Sequence, residues 1–137
     1  MVYTIFNMDR PKILIAEDDH ILLNMYKRKF MMEGFDVQDA VDGGDALNKL
    51  KTFIPDIIML DVIMPVMSGN DVLRHLENNP LLKDIPVIML TNIATLDMIT
   101  ESAQRGAVRY LAKSNSTPND VVAIVKDILL KKAVPTP

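Results

Sequence analysis

Glu17 and Asp18 are the residues of this chain that capping or simple solvation explains least well, and Asp61 falls at a strand end where it would join them. Glu17-Asp18-Asp19 closes the apolar run KILIA, Asp61 closes IIML, Thr91 closes PVIML, and Lys113 follows VRYLA. Taken singly, each has an ordinary reading: Asp19 as a helix cap, Asp61 as a turn residue, Thr91 as a strand-end hydroxyl, Lys113 as a solvated charge. Two carboxylates about 5 Å apart, however, repel by roughly 3 kcal/mol at an effective dielectric near 20, and a third acid adds comparable terms. Set against a net stability of about 5–15 kcal/mol, such a cluster calls for a cation. Oxygen donors without cysteine or paired histidine favour Mg²⁺ over zinc. His20 and His75 sit on predicted helices with no second histidine at ligand spacing, and take no catalytic role.

The elements that must bring these residues together are five strand-sized apolar runs: Lys12–Ala16, Asp36–Val41, Ile57–Leu60, Pro86–Leu90 and Val108–Ala112. Helical spacing fills the intervals. Leu22, Met25, Tyr26 and Phe30 mark the inner face of the first helix, which Gly34 ends. Ala46, Leu47 and Leu50 mark the second, Val72, Leu73 and Leu76 the third, and Leu96, Ile99 and Ala103 the fourth. The fifth has Thr117 as cap, Pro118 in its first turn, and Val121, Ile124, Val125 and Ile128 inward. Alternating strands and helices require crossover connections, hence a parallel sheet covered on both faces. Ligands of such sheets bind beyond the carboxyl ends of the strands, where all of these polar residues fall.

At 137 residues with 10 methionines and no cysteine, the chain has length for one domain and no disulfide framework. The methionines scatter through apolar stretches as adaptable core filling. A net charge of -3 without a basic run disfavours direct nucleic-acid binding. The opening MVYTIFNMDR reads as neither signal peptide nor membrane anchor, so a cytoplasmic protein with no membrane partner is expected. The expected organisation is an N-terminal extension at 1–10, one domain at 11–132 and a tail at 133–137.

ILIAEDD, IIMLDVIMPVMSG, PVIMLT and GAVRYLAK, in this order and spacing from Lys12 to Lys131, resemble the receiver domains of two-component response regulators. The resemblance implies a flavodoxin-like (βα)5 α/β fold with sheet order 2-1-3-4-5, an order for which the chemotaxis receiver is a stated example. It implies that Asp61 is the phosphoacceptor, that Glu17, Asp18, Asp61 and the Ile63 carbonyl hold Mg²⁺, and that Lys113 contacts carboxylate and phosphoryl group. Thr91 would swing to a phosphoryl oxygen and Tyr110 would turn into the space it leaves, changing the face formed by helix four, strand five and helix five. Pro65 and Gly69 would shape the loop after the acceptor. The implied partners are a sensor histidine kinase or a histidine phosphotransfer protein, and a protein output target. The implied activity is that of a phosphoacceptor regulatory domain assisting its own phosphorylation and dephosphorylation, not an enzyme with a separate substrate.

Three positions depart from the family pattern: Ser114 follows Lys113 where proline is common, Ile63 replaces a frequent polar residue, and Asn92 a frequent small one. Ile63 and Asn92 bear on phosphoryl lifetime. A flavin-binding electron carrier could share the sheet, but Glu17, Asp18 and Asp19 would repel its phosphate. An aspartate-nucleophile phosphatase would carry an acid where Ile63 stands. A pseudo-receiver would lack the acceptor, the metal acids or the lysine, all of which are present.

Overall fold

A computed structural model describes residues 10–92 and 95–133. Along the chain, β1 (Lys12–Ala16), α1 (His20–Met32), β2 (Asp36–Ala40), α2 (Gly43–Lys49) and β3 (Ile57–Leu60) are followed by α3 (Gly69–Glu77), β4 (Val87–Thr91), α4 (Leu96–Gln104), β5 (Ala107–Ala112) and α5 (Pro118–Ala133). All neighbouring strands run parallel, in the order β2-β1-β3-β4-β5. This is the expected (βα)5 α/β architecture. The expected extension and tail fall largely on residues 1–9 and 134–137, outside the described residues.

Because side chains alternate across a strand, the three central strands supply two cores at once. Leu14, Ala16, Ile58, Leu60, Val87 and Met89 face α2 and α3, where they meet Ala46, Leu50, Val72, Leu73 and Leu76. Ile13, Ile15, Ile57, Met59, Ile88 and Leu90 face α1 and α5, meeting Leu23, Tyr26, Phe30, Val121, Val125 and Leu129. Full burial of each large side chain contributes about 1.5–3 kcal/mol, which is why these strands read as unbroken apolar runs.

Helix boundaries follow local chemistry. Asp19 Oδ1 accepts from the amides of Ile21 and Leu22 at 3.0 and 3.2 Å, as the capping reading requires. Gly34, at φ +89°, ends α1 in the left-handed region that glycine tolerates best. Ser68 and Asp71 form a capping box at α3, and Thr117 and Asp120 exchange the same pair of bonds at α5.

Several inward faces differ from expectation. On α1, Leu23 is buried, Leu22 is half-buried and Met25 is exposed, since the stripe runs through 23, 26 and 30. On α5, Val122 and Leu129 are buried, whereas Ile124 and Ile128 only pack against the core's margin. The largest correction is α4. Leu96 is 77% exposed, Ile99 37%, and Ala103 is also exposed; the fully buried residue is Ser102. The apolar stripe of α4 faces outward. Of the methionines, Met59, Met64 and Met89 fill core, but Met25, Met31 and Met32 are exposed.

Candidate functional site

The sheet register builds the site. Ala16 pairs with Leu60, so the next residues, Glu17 and Asp61, emerge side by side, fixed by Asp61 N donating to the Ala16 carbonyl at 3.0 Å. Thr91 pairs with Ala112, so Lys113 emerges immediately beyond Thr91 in a short 3-10 turn, Lys113–Asn115. Ser114 occupies that turn without interrupting it.

Lys113 Nζ donates to Asp61 Oδ2 at 2.8 Å and also to Glu17 Oε1, tying three strand ends together. Asp61 Oδ1 accepts from the Ile63 amide at 3.2 Å, and Glu17 Oε2 from the Asp19 amide at 3.3 Å. Glu17, Asp61 and Thr91 are buried at the sheet end, while Asp18 is exposed beside them. Carboxylate oxygens of Glu17, Asp18 and Asp61 lie within 4.8 Å of one another.

Burial pushes the Glu17 carboxyl up to about 7; the Lys113 hydrogen bond works against this and the neighbouring Asp61 adds to it. Burial opposes the charge on Lys113, but its bonds to Asp61 and Glu17 outweigh that and hold its pKa above the ordinary lysine value. Lys113 therefore remains an ammonium, and neutralises part of the acid cluster whose repulsion the sequence implied. Opposite oxygens of octahedral Mg²⁺ lie roughly 4 Å apart, so small adjustments of three carboxylates bring them to ligand distance, and the all-oxygen donor set fits this ion.

The loop after Asp61 is held tightly. Gly69 N donates to the Val62 carbonyl at 2.9 Å, and a Cβ on Gly69 would collide with the Asp61 carbonyl oxygen. Only glycine permits that approach. Ile63 is about half exposed, and Asn92 is exposed in a bend just beyond β4.

The expected inward movement of Tyr110 has a different starting point: its ring already packs on the core and its hydroxyl is buried, without a hydrogen-bond partner among the described residues. Burial, and then Asp61, push its pKa up. Pairing patterns at the strand ends did not reveal a polar cluster between α3 and α4, formed by Asn70, Glu101, Ser102, Arg105 and Glu77. Its one signal in the sequence is the placement of Asn70 and Ser102 at inward helical positions.

The family model described as response regulator receiver domain matches residues 13–126. The chain belongs to this family. It is 33% identical over 125 residues to the phosphate regulon transcriptional regulatory protein PhoB of Rhizobium meliloti (strain 1021), covering 91% of this chain and 54% of that protein. It is 34% identical over 127 residues to the alkaline phosphatase synthesis transcriptional regulatory protein PhoP of Bacillus subtilis (strain 168), covering 92% and 51%. The chain thus spans about half the length of the curated relatives it matches. Among solved structures, the CheY-like receiver domain protein of Methanospirillum hungatei JF-1 superposes with a TM-score of 0.84 at 28% identity, covering 90% of this chain and 98% of that one. The receiver domain of a signal transduction histidine kinase from Syntrophus aciditrophicus gives 0.79 at 30% identity, covering 93% and 95%. The function class is accordingly that of a phosphoacceptor signalling switch in two-component systems. Among the described residues, no helix is long and apolar enough to cross a membrane.

Proposed function

We propose that Asp61 is the phosphoacceptor of this switch, with Glu17, Asp18, Asp61 and the Ile63 carbonyl as the Mg²⁺ ligands and Lys113 as the cation that serves carboxylate and phosphoryl group in turn. The observation that carries the reading is the joint placement of a buried Asp61 carboxylate 2.8 Å from the Lys113 ammonium and within 4.8 Å of two further acids. In the transfer, an Asp61 oxygen forms a bond to phosphorus as the bond from phosphorus to the donor's imidazole nitrogen breaks, and that nitrogen leaves with the electron pair. Mg²⁺, when bound, supplies positive charge to the phosphoryl oxygens.

The residues of the chain do the rest. Lys113 holds the acceptor oxygen in place before transfer, and afterwards its ammonium stays beside the anionic product. Thr91 contributes a hydroxyl to a phosphoryl oxygen, and Tyr110 adjusts with it. Leu96, Ile99 and Arg105 alter their exposure on the face built by α4, β5 and α5, which a protein target reads. The donor is a sensor histidine kinase or a histidine phosphotransfer protein. Residues 11–132 form the switching unit, which acts in the cytoplasm, binds no nucleic acid directly, and has no separate substrate. The test is mass spectrometry after incubation with acetyl phosphate and Mg²⁺. One phosphoryl group should appear on the parent and none on Asp61→Asn; equal labelling of that variant refutes the assignment.

A further inference from the structure

α4 combines one inward apolar residue, Met98, which packs against the core, with a set of polar contacts to α3. Its fully buried residue is a serine, Ser102, whose Oγ lies 2.8 Å from Asn70 Oδ1 on α3 and 2.9 Å from the Met98 carbonyl of its own helix. A hydroxyl has one proton to donate, so Ser102 can satisfy one of these acceptors at a time. The orientation of the Asn70 amide is set by Glu101, a carboxylate that only accepts, against which Nδ2 lies at 3.4 Å. Outside this buried joint, Arg105 spans Glu77 of α3 at 2.8 Å and Glu101 of α4 at 3.3 Å.

The other end of the joint is the acceptor loop. Asn70 directly follows Gly69, whose backbone is pressed against the carbonyl of Asp61 and hydrogen-bonded to that of Val62. A rearrangement of the acceptor loop therefore moves Asn70 with little slack. A displacement of roughly 0.7 Å would carry a 2.8 Å hydrogen bond past its range. Ser102 would lose nothing, since the Met98 carbonyl stands ready within its own helix. Two discrete arrangements of one proton are the kind of bistable element through which two sites couple.

We propose that Asn70 and Ser102 are positioning residues forming a latch between α3 and α4, closed at rest as Ser102 to Asn70 and open after phosphorylation as Ser102 to the Met98 carbonyl. The latch carries the state of Asp61 to α4 along α3, by a route that does not pass through Thr91. It rests on Asp61 being the acceptor, so the test reads the two separately.

Phosphoryl incorporation from acetyl phosphate with Mg²⁺ is measured by mass spectrometry, and amide exchange of residues 96–104 is measured with and without the donor. In the parent, protection of α4 should fall on phosphorylation. Ser102→Ala should take up phosphoryl as the parent does, yet begin with α4 protection lowered about fivefold, as expected for the loss of one net hydrogen bond. Its further change on phosphorylation should stay within about twofold. Asn70→Ala, which also removes the contact to Glu101, should lower protection at least as much, and the double variant should lose no more than Asn70→Ala alone, because the Ser102 bond to Asn70 is already absent there. A residue that only supports the fold would lower protection equally in both states and leave their ratio intact. That result, or additive losses, would overturn the latch. Incorporation in the parent with α4 unchanged would also overturn it, while leaving the acceptor assignment standing. Absence of incorporation in the parent would overturn both.

Discussion

Replacing Lys113 by methionine is the most revealing perturbation of the metal-free site. Lys113 Nζ sits 2.8 Å from Asp61 Oδ2 and also donates to Glu17. At an effective dielectric near 20, one such contact is worth about 6 kcal/mol of gross attraction before desolvation. Removing one member of a buried ionic cluster costs about 3–5 kcal/mol, because the remaining charges lose their partner. Here the cost depends on pH. The folded-state pKa of Glu17 is already raised from 4.5 to about 7, so its contribution to stability is complete below about 4.5 and is lost as pH rises through 7. Without Lys113 the lowering influence disappears and the carboxyl titrates higher still. At pH 5.5 Glu17 takes a proton and can donate it towards Asp61; at pH 8.5 proton uptake costs about 1.4 kcal/mol per pH unit. Urea denaturation without Mg²⁺ should therefore show Lys113→Met losing about 3 kcal/mol at pH 8.5 and less than about half of that at pH 5.5. Other titrating groups are common to both proteins and cancel in the difference. An equal loss at the two pH values, or none at pH 8.5, would refute the bridging role of Lys113.

Glu17→Ala combined with Asp18→Ala should abolish Mg²⁺ binding by isothermal titration while leaving the metal-free fold as stable as the parent or more so at pH 8, since Lys113 keeps Asp61; marked destabilisation would contradict this. Ile63→Asn and Asn92→Ala should each speed loss of the phosphoryl group several-fold in Mg²⁺, because they open or wet the approach of water opposite the carboxylate oxygen; slower loss in Asn92→Ala would show that its amide holds the attacking water. Tyr110→Phe should leave the unphosphorylated domain unchanged or raise its stability by about 1 kcal/mol, since it removes a buried hydroxyl that has no hydrogen-bond partner among the described residues. A clear loss by thermal denaturation would mean that this hydroxyl is hydrogen-bonded.

What could be read from the sequence follows from where apolar burial is two-sided. β1, β3 and β4 are covered on both faces and announce themselves as unbroken apolar runs, and α3 presents Val72, Leu73 and Leu76 inward as its spacing requires. Spacing is a poorer guide to phase. On α1 the pattern fits Leu22 nearly as well as Leu23, and burial chooses the latter. The strand-end rule located Glu17, Asp61, Thr91 and Lys113 because it depends on topology alone. It could not reveal that Lys113 reaches Glu17 across 96 residues, since that depends on side-chain direction in the turn after β5.

α4 shows why an apolar stripe identifies a helix without identifying its buried side. Leu96 and Ile99 are exposed, and Ile99 lines, with exposed Val108, a groove of about 240 Å³ between α4 and β5. Burying those side chains would contribute about 1.5–3 kcal/mol each, several times the net worth of the Ser102 hydrogen bond that holds the helix inward. The sequence thus gives α4 one partly buried inward apolar residue, Met98, and leaves Leu96 and Ile99 on the outer face. A helix held by the partly buried Met98, the Asn70–Ser102 and Asn70–Glu101 contacts and a clamp of charges has less apolar area to uncover on shifting than α3 or α5, each of which would have to expose several fully buried side chains. If Asp61 carries the phosphoryl group as proposed, an acyl phosphate there need only bias that smaller contact, so the movable part of the proposed switch is α4 rather than the helices that cover the two cores.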